Sequence, residues 1–132
     1  MAKKFSKAWK SSKKQAKQRK YRANAPLHVK RKFLAAHLSK ELKQKYKRRS
    51  FTLRKGDNVK VMRGAFKKRS AKIAAVNLRK TKVYLEGLQR ARRDGTKVND
   101  PFNPSNLMIT ELNLDDKERI KALERNITKS VK

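Results

Sequence analysis

The chain has 132 residues, the length of a single domain or of one small domain with extensions. Forty Lys and Arg against ten Asp and Glu give a net charge of +30. In a compact protein these positive charges repel one another unless a polyanion neutralises them. Cysteine is absent, which excludes disulfides, thiolate zinc sites and a cysteine nucleophile. The longest apolar runs have four residues and none follows the basic N-terminus, so we expect neither a membrane span nor a secretory signal.

The positive charge lies almost entirely in the first hundred residues. Residues 1–40 contain 14 Lys and Arg and no acid, residues 41–100 contain 20 basic and 5 acidic residues, and residues 101–132 contain 6 and 5. This asymmetry indicates that the first hundred residues contact an anionic partner.

The first 50 residues predict an arm followed by short helices. Residues 1–24 have few large apolar side chains, so we expect a basic extended arm that becomes ordered on the polyanion. Pro26 suits the first turn of a helix because its missing amide would be unpaired there. Ser39 can cap a second short helix that ends at Tyr46.

From Phe51 onward the apolar period changes to two, which predicts half-buried strands. Asp94-Gly95 predicts a hairpin turn between two of them, and Pro101 and Pro104 mark a loop before the last. Four or five short strands are too few for a sandwich, so we expect a small barrel. The inward-facing pairs are Val59 and Val61, Ile73 and Ala75, Val83 and Leu85, and Leu107 and Ile109.

The chain closes with a predicted helix. Asp115 can cap this helix, and Glu118, three residues later, can complete a capping box. Ile120, Leu123 and Ile127 then form an apolar stripe that we expect to lie against the barrel.

The sequence carries no pattern typical of catalysis or of a cofactor. His28 and His37 are nine residues apart, which does not place two ligands on one helical face, and no cysteine can complete a zinc site. The acidic residues near Asp115 are explained by the start of a helix, where carboxylates favour the dipole. Only four glycines are present, and none belongs to a phosphate loop or a nucleophile elbow. We therefore expect a binding protein, with no cofactor, no metal and no enzymatic activity.

Three clusters of basic residues lie at predicted loops, in addition to the arm. Structured RNA is favoured over DNA because no pattern that reads a DNA major groove is present. Phe66 and Trp9 are candidates to stack on an unpaired base. Since Lys outnumbers Arg, recognition should be mostly of backbone and shape. The clusters are Arg63, Lys67, Lys68, Arg69 and Lys72 around Phe66; Arg79, Lys80 and Lys82; and Arg90, Arg92 and Arg93.

The barrel segment and its flanks resemble a known family. Gly56-Asp57-x-Val59-x-Val61-x-x-Gly64-x-Phe66-Lys67, followed by Ile73 and Val76, resembles the KOW motif of small SH3-like barrels in ribosomal proteins and transcription elongation factors. Two flanking segments, Asn24-Ala25-Pro26-x-His28-x-x-Arg31-Lys32 and Asn103-Pro104-Ser105-Asn106-x-x-Ile109-Thr110, narrow the resemblance. Together they are similar to the universal large-subunit ribosomal protein family L-twenty-four, in its archaeal and eukaryotic form, over roughly residues 12 to 126.

This resemblance implies a structural constituent of the large ribosomal subunit that binds its rRNA, aids subunit assembly and lies near the peptide exit tunnel. The matched positions expected to bind RNA are His28, Arg31, Lys32, Arg63 and Lys67. With the arm and the loops, the full set of candidate RNA-binding residues is Lys10, Lys13, Lys14, Lys17, Arg19, Lys20, Arg22, His28, Arg31, Lys32, Arg48, Arg49, Arg63, Lys67, Lys68, Arg69, Lys72, Arg79, Lys80, Lys82, Arg90, Arg92 and Arg93.

The resemblance departs at two positions of one loop. The motif has Gly where Lys68 and Ala71 stand here, and Gly permits a positive φ that Lys and Ala resist. We therefore expect this loop to approach RNA through side chains more than through backbone.

The predicted fold is mainly β, a small SH3-like KOW barrel with two short N-terminal helices, a basic N-terminal arm and a C-terminal helix. The expected divisions are the arm at 1–24, the short helices at 25–50, the barrel at 51–114, and the C-terminal helix and tail at 115–132.

The expected partners are large-subunit rRNA and neighbouring large-subunit ribosomal proteins, with a cytoplasmic location on the ribosome. A membrane, a small-molecule substrate and a second copy of the chain are not expected as partners. Two alternatives are a transcription elongation or chromatin factor built on the same barrel, and a cationic protein of the membrane surface. The first would be expected to carry a larger paired domain, and the apolar face of the second is too small here.

Overall fold

A computed structural model describes residues 5–6 and 12–129, without the side chains of 126–129. Within these residues the chain forms four α-helices, seven strands and one 3-10 turn. The helices are α1 Gln15–Asn24, α2 Leu27–Phe33, α3 Lys40–Tyr46 and α4 Lys117–Lys129. The strands are β1 Ala35–Leu38, β2 Ser50–Thr52, β3 Asn58–Val61, β4 Ser70–Asn77, β5 Lys82–Ala91, β6 Lys97–Phe102 and β7 Leu107–Glu111, with the 3-10 turn at Pro104–Asn106 before β7.

The seven strands form one mixed sheet in the order β2-β1-β7-β3-β4-β5-β6. All neighbouring pairs are antiparallel except β1 and β7, which run parallel, with His37 opposite Met108. The predicted mainly-β SH3-like fold, with two short helices before it and a helix after it, is confirmed. The basic arm, expected to be extended over residues 1–24, instead contains the helix α1.

Alternating apolar residues build the core, as the sequence predicts. Both members of the predicted pairs in β3, β5 and β7 are fully buried, and so is Ile73 of β4. Ala75 is exposed instead, because the β4–β5 register shifts between Ile73 and Ala75, and such a bulge breaks the two-residue period. Pro101 was expected in a loop but lies within β6. This strand is at the edge of the sheet, where a residue without a backbone N–H is tolerated.

The segment before the barrel contains both predicted helices and one strand that was not predicted. Pro26 immediately precedes α2 as its N-cap residue. At the start of α3, the Ser39 Oγ accepts a 3.3 Å hydrogen bond from the backbone N–H of Leu42. Strand β1 lies between these helices and buries Ala36 and Leu38 in the same core as the barrel strands. The helices before the barrel are therefore fixed to it by a strand of its own sheet.

The C-terminal helix begins one residue later than predicted. The Asp116 carboxylate, not that of Asp115, accepts a 2.9 Å hydrogen bond from the backbone N–H of Glu118. With Asp116 as the cap, the third residue of the helix is Arg119, so the predicted capping box with Glu118 is wrong.

Leu123 is fully buried as expected, whereas the Ile127 side chain lies outside the described part of the structure. Among the described helices, none has the length and apolar character needed to cross a bilayer.

Candidate nucleic-acid interface

Helix α2 lies beside the turn between β4 and β5, and this contact joins the basic residues of α2 to one of the three predicted basic clusters. The Lys30 Nζ donates a 3.3 Å hydrogen bond to the backbone carbonyl of Arg79. Arg79 and Lys80 are exposed in this turn, and Arg31 and Lys32 are exposed on α2. The structure therefore places residues that are far apart in sequence on one basic surface.

That surface continues into a concave groove between α2, β2 and α4, which we name the α2–α4 groove. Its volume is about 600 Å³. Of the described residues that line it, seven are Lys or Arg and one, Glu118, is acidic. The groove is lined by His28, Arg31, Lys32, Arg48, Phe51, Thr52, Arg54, Glu118, Arg119, Lys121, Ala122 and Arg125.

Two of the groove arginines are held in position by their neighbours. The Arg48 guanidinium donates a 2.5 Å hydrogen bond to the carbonyl of Ala122 and lies 5.4 Å from the centre of the Phe51 ring. Arg54 is ion-paired with Asp116, and this bond, more than the one from the Glu118 backbone N–H, holds the pKa of Asp116 below its usual value. Neither arginine can change position without breaking these contacts.

The wall formed by α4 is fixed by a buried ion pair. Arg119 donates two 2.7 Å hydrogen bonds to the two carboxylate oxygens of Asp57, which is fully buried in the turn before β3. Arg119 also donates to the carbonyls of Asn113 at 2.7 Å and Thr52 at 3.1 Å. Asp57 belongs to the motif that resembles KOW, but no sequence pattern pairs it with Arg119.

The β3–β4 loop carries the cluster around Phe66 away from this groove. The Phe66 ring lies 5.8 Å from the Phe102 ring and packs against the core, so the expectation that Phe66 is free to stack on a base is wrong. Lys68 has φ of 71°, the left-handed conformation that Gly adopts without strain. The loop thus keeps a turn typical of Gly although Lys stands there. Arg63, Lys67, Lys68 and Arg69 are all exposed.

The β5–β6 hairpin carries the third cluster. Its tip and the β4–β5 turn lie at opposite ends of the ten-residue strand β5, a distance of about 30 Å at the usual rise of a strand. Arg90 is ion-paired with Asp100 at 3.0 Å, whereas Arg92 and Arg93 are exposed in the turn. The Asp94 carboxylate accepts hydrogen bonds from the Thr96 hydroxyl and backbone N–H, which lower the pKa of Asp94.

The remaining predicted residues are distributed over the arm and the sheet. Phe5 lies 4.9 Å from Tyr21 of α1, and Tyr21 lies 6.1 Å from Phe33 of α2, both distances between ring centres. These contacts place α1 next to α2. Lys10 and Trp9 lie outside the described residues, Lys13 and Lys14 precede α1, Lys17, Arg19, Lys20 and Arg22 belong to α1, Arg49 is exposed before β2, and Lys72 and Lys82 lie on β4 and β5.

Four of the described cations that line the α2–α4 groove were absent from the predicted set. Arg54 adjoins the turn before β3, and Arg119, Lys121 and Arg125 lie on α4. Their only sequence signal was the positive charge itself, and α4 belongs to the segment whose net charge is close to zero. Their convergence is a product of the tertiary fold.

Comparison with known proteins identifies relatives over most of the chain. The family of ribosomal proteins described as L26 in eukaryotes, together with its archaeal L-twenty-four counterpart, matches residues 12–126. The large ribosomal subunit protein uL24 of Methanothrix thermoacetophila is 47% identical over 114 residues, which cover 86% of this chain and 98% of the relative. The proteins of the same name from Methanosphaera stadtmanae and Korarchaeum cryptofilum are 42% and 44% identical over 88% and 86% of this chain, and over 99% and 87% of their own lengths. The chain therefore belongs to this family of ribosomal proteins, which confirms the family, the ribosomal location and the non-enzymatic role expected from the sequence.

Proposed function

We propose that this protein is a structural constituent of the large ribosomal subunit that binds large-subunit rRNA by phosphate neutralisation and shape fit. It aids subunit assembly and lies near the peptide exit tunnel, next to other large-subunit proteins. The tunnel position and the assembly role rest on the resemblance to the family, and the mode of binding rests on the surface described above.

The observation that carries the proposal is the basic surface that joins α2, the β4–β5 turn and the α2–α4 groove. Phosphate contacts need Lys and Arg that are exposed and not already neutralised by carboxylates. Arg31 and Lys32 meet both conditions, because they are exposed and make no ion pair with any residue that the structure describes. The whole chain has only ten Asp and Glu against forty Lys and Arg, so most of its cations have no carboxylate available to neutralise them.

The arm, the β3–β4 loop and the β5–β6 hairpin extend the proposed contact beyond this surface. The hairpin tip and the β4–β5 turn lie at opposite ends of β5, at most about 30 Å apart. Contacts at both places therefore favour an extended, folded RNA surface. This arrangement supports recognition by shape more than by base sequence.

Sedimentation tests the proposal. A lysate that contains the protein is separated on a sucrose gradient in moderate salt, and the fractions are probed for the chain. Stoichiometric migration with the large subunit that survives a wash for loosely bound basic proteins would support it. Migration with polymerase or DNA, or release at the first wash, would favour a transcription factor built on the same barrel.

Salt dependence tests the mode of binding. If about eight phosphates are contacted, the affinity for an rRNA fragment should fall by several orders of magnitude between about 50 and 200 mM salt. A shallow dependence would contradict phosphate neutralisation.

A further inference from the structure

We propose that the α2–α4 groove receives the phosphates of an unpaired RNA segment, such as a bulge or a single strand between helices. This inference rests on the proposed function and adds to it the place where unpaired RNA binds and the form of RNA that binds there. The charge, the rigidity and the size of the groove each favour such an RNA segment as its occupant.

Three of the cations that line the groove are not neutralised by any described carboxylate, whereas Arg54 and Arg119 are ion-paired. Arg31 and Lys32 approach it from α2 and Lys121 from α4, and all three side chains are exposed without a hydrogen bond or ion pair to any described residue. Like charges held on facing walls repel each other, and an anion between them relieves the repulsion. The charge pattern therefore favours an anionic occupant.

The walls are already ordered before any ligand binds. Arg48 is held by the Ala122 carbonyl and the Phe51 ring, and α4 is held by the pair between Arg119 and Asp57. Because these groups are fixed, binding loses little conformational entropy at the groove.

The size and lining of the groove select the kind of anion. A volume of about 600 Å³ lies in the range that encloses a small molecule, so it admits a nucleotide or a bent single strand but not a double helix. Among the described residues, Phe51 and Ala122 are the apolar ones that line the groove. The guanidinium groups of Arg48 and Arg119 each lie 5.4 Å from the centre of the Phe51 ring. An acidic peptide would find little apolar surface to bury, which favours the phosphodiester backbone.

The test compares two variants of the full chain that each lose two positive charges. The groove variant is Arg31→Gln with Lys121→Gln, and the control is Lys40→Gln with Lys97→Gln, two exposed residues outside the candidate RNA-binding set. Binding of a short labelled oligouridine and of a blunt RNA duplex of equal charge is measured at one moderate salt concentration. We expect the groove variant to bind oligouridine about tenfold more weakly and the control no more than about threefold more weakly. On the duplex the two variants should not differ.

Three results would overturn the inference. Equal losses of oligouridine binding in the two variants would show that the groove has no special role. A loss on the duplex as large as on oligouridine would show that the RNA there is not unpaired. Displacement of oligouridine by polyglutamate of equal charge at equal concentration would assign the groove to an acidic protein segment.

A second measurement keeps the test valid if the groove variant fails to fold, which circular dichroism would reveal. The unmodified protein is crosslinked by ultraviolet light to oligouridine, and the adducts are located by mass spectrometry. Adducts on α2 or α4 support the inference, and adducts confined to the arm and the β5–β6 hairpin overturn it. If the protein still sediments with the large subunit when the inference fails, the proposed function is unaffected.

Discussion

The guanidinium of Arg119 donates one hydrogen bond to each carboxylate oxygen of Asp57, both 2.7 Å long, across a separation of 62 residues. Both side chains are buried. The same carboxylate accepts 2.9 Å hydrogen bonds from the backbone N–H groups of Arg54 and Asn113. Asp57 thus joins the turn before β3, the segment before α4 and α4 itself, and it holds in place one wall of the α2–α4 groove.

Replacing Asp57 with Asn should destabilise the protein strongly. The amide cannot neutralise Arg119, which would remain buried as an unpaired cation, so we expect a loss of about 3–5 kcal/mol in the free energy of unfolding. Asp100→Asn is the matched control, because its partner Arg90 has a side chain that is 70% exposed. That variant should cost about 1 kcal/mol or less. Urea unfolding measures both, and similar losses would contradict a structural role for the buried pair.

The strands were predictable because their signal is local. Val59 and Val61 alternate with polar residues over a few positions, and that alternation alone places them on the buried face. Strand β1 carries no such signal, since its sequence Ala-Ala-His-Leu has little strand preference. It forms because β7, distant in sequence, offers it a parallel partner.

The groove could not be predicted for a related reason. Asp57 was recognised only as part of the motif that resembles KOW, and its ion-pair partner was one of the many cations of a very basic chain. A sequence pattern shows which residues are charged, whereas the closing of α4 over β2 decides which charges meet. The same limit applies to the cap of α4, where Asp115 and Asp116 are equally plausible from sequence and only the geometry selects Asp116.

The pKa of Asp116 should depend on Arg54. The bond from Arg54 lowers the pKa of this carboxyl, so its contribution to stability is complete well above pH 3.8, the ordinary value, and is lost as the pH falls through the lowered pKa. In Arg54→Gln the pKa should rise towards 3.8, and the contribution should shrink, because it scales with the difference between the folded and unfolded pKa. Carboxyl titration followed by NMR measures the shift. An unchanged pKa would mean that the Glu118 backbone bond is the dominant cause.

Gly56→Ala should cost more stability than Gly64→Ala. Both glycines have a positive φ, +92° and +95°, so either substitution costs about 1 kcal/mol for the left-handed backbone. A Cβ at Gly56 would also lie 2.9 Å from the Nδ2 of Asn113, whose Oδ1 accepts a hydrogen bond from the Asp115 backbone. Among the described residues, no atom lies within 4 Å of a Cβ at Gly64. Thermal unfolding of the two variants measures the difference, and equal costs would show that Asn113 moves aside freely.

Lys68→Gly should be tolerated and should slightly stabilise the folded protein. Lys68 has φ of 71°, and Gly relieves the strain of this conformation, a gain of up to about 1 kcal/mol. Lys67→Gly is the control, since it removes the same charge at a neighbouring position without a positive φ and should be neutral or destabilising. Unfolding by urea measures both. Incorporation of Lys68→Gly into the large subunit should be retained, and a large loss would assign a specific RNA contact to the Lys68 side chain.

The cations of the β5–β6 hairpin should differ in their contribution to RNA binding. Arg90 is already paired with Asp100 at 3.0 Å, whereas the Arg92 side chain makes no hydrogen bond or ion pair to any described residue. If the hairpin contacts rRNA phosphates, Arg92→Gln should reduce the slope of log affinity against log salt by about 1. Arg90→Gln should reduce it less, because Asp100 neutralises part of the Arg90 charge before the RNA arrives. Titration of an rRNA fragment at several salt concentrations gives the slopes, and equal reductions would mean that Arg90 leaves Asp100 on binding.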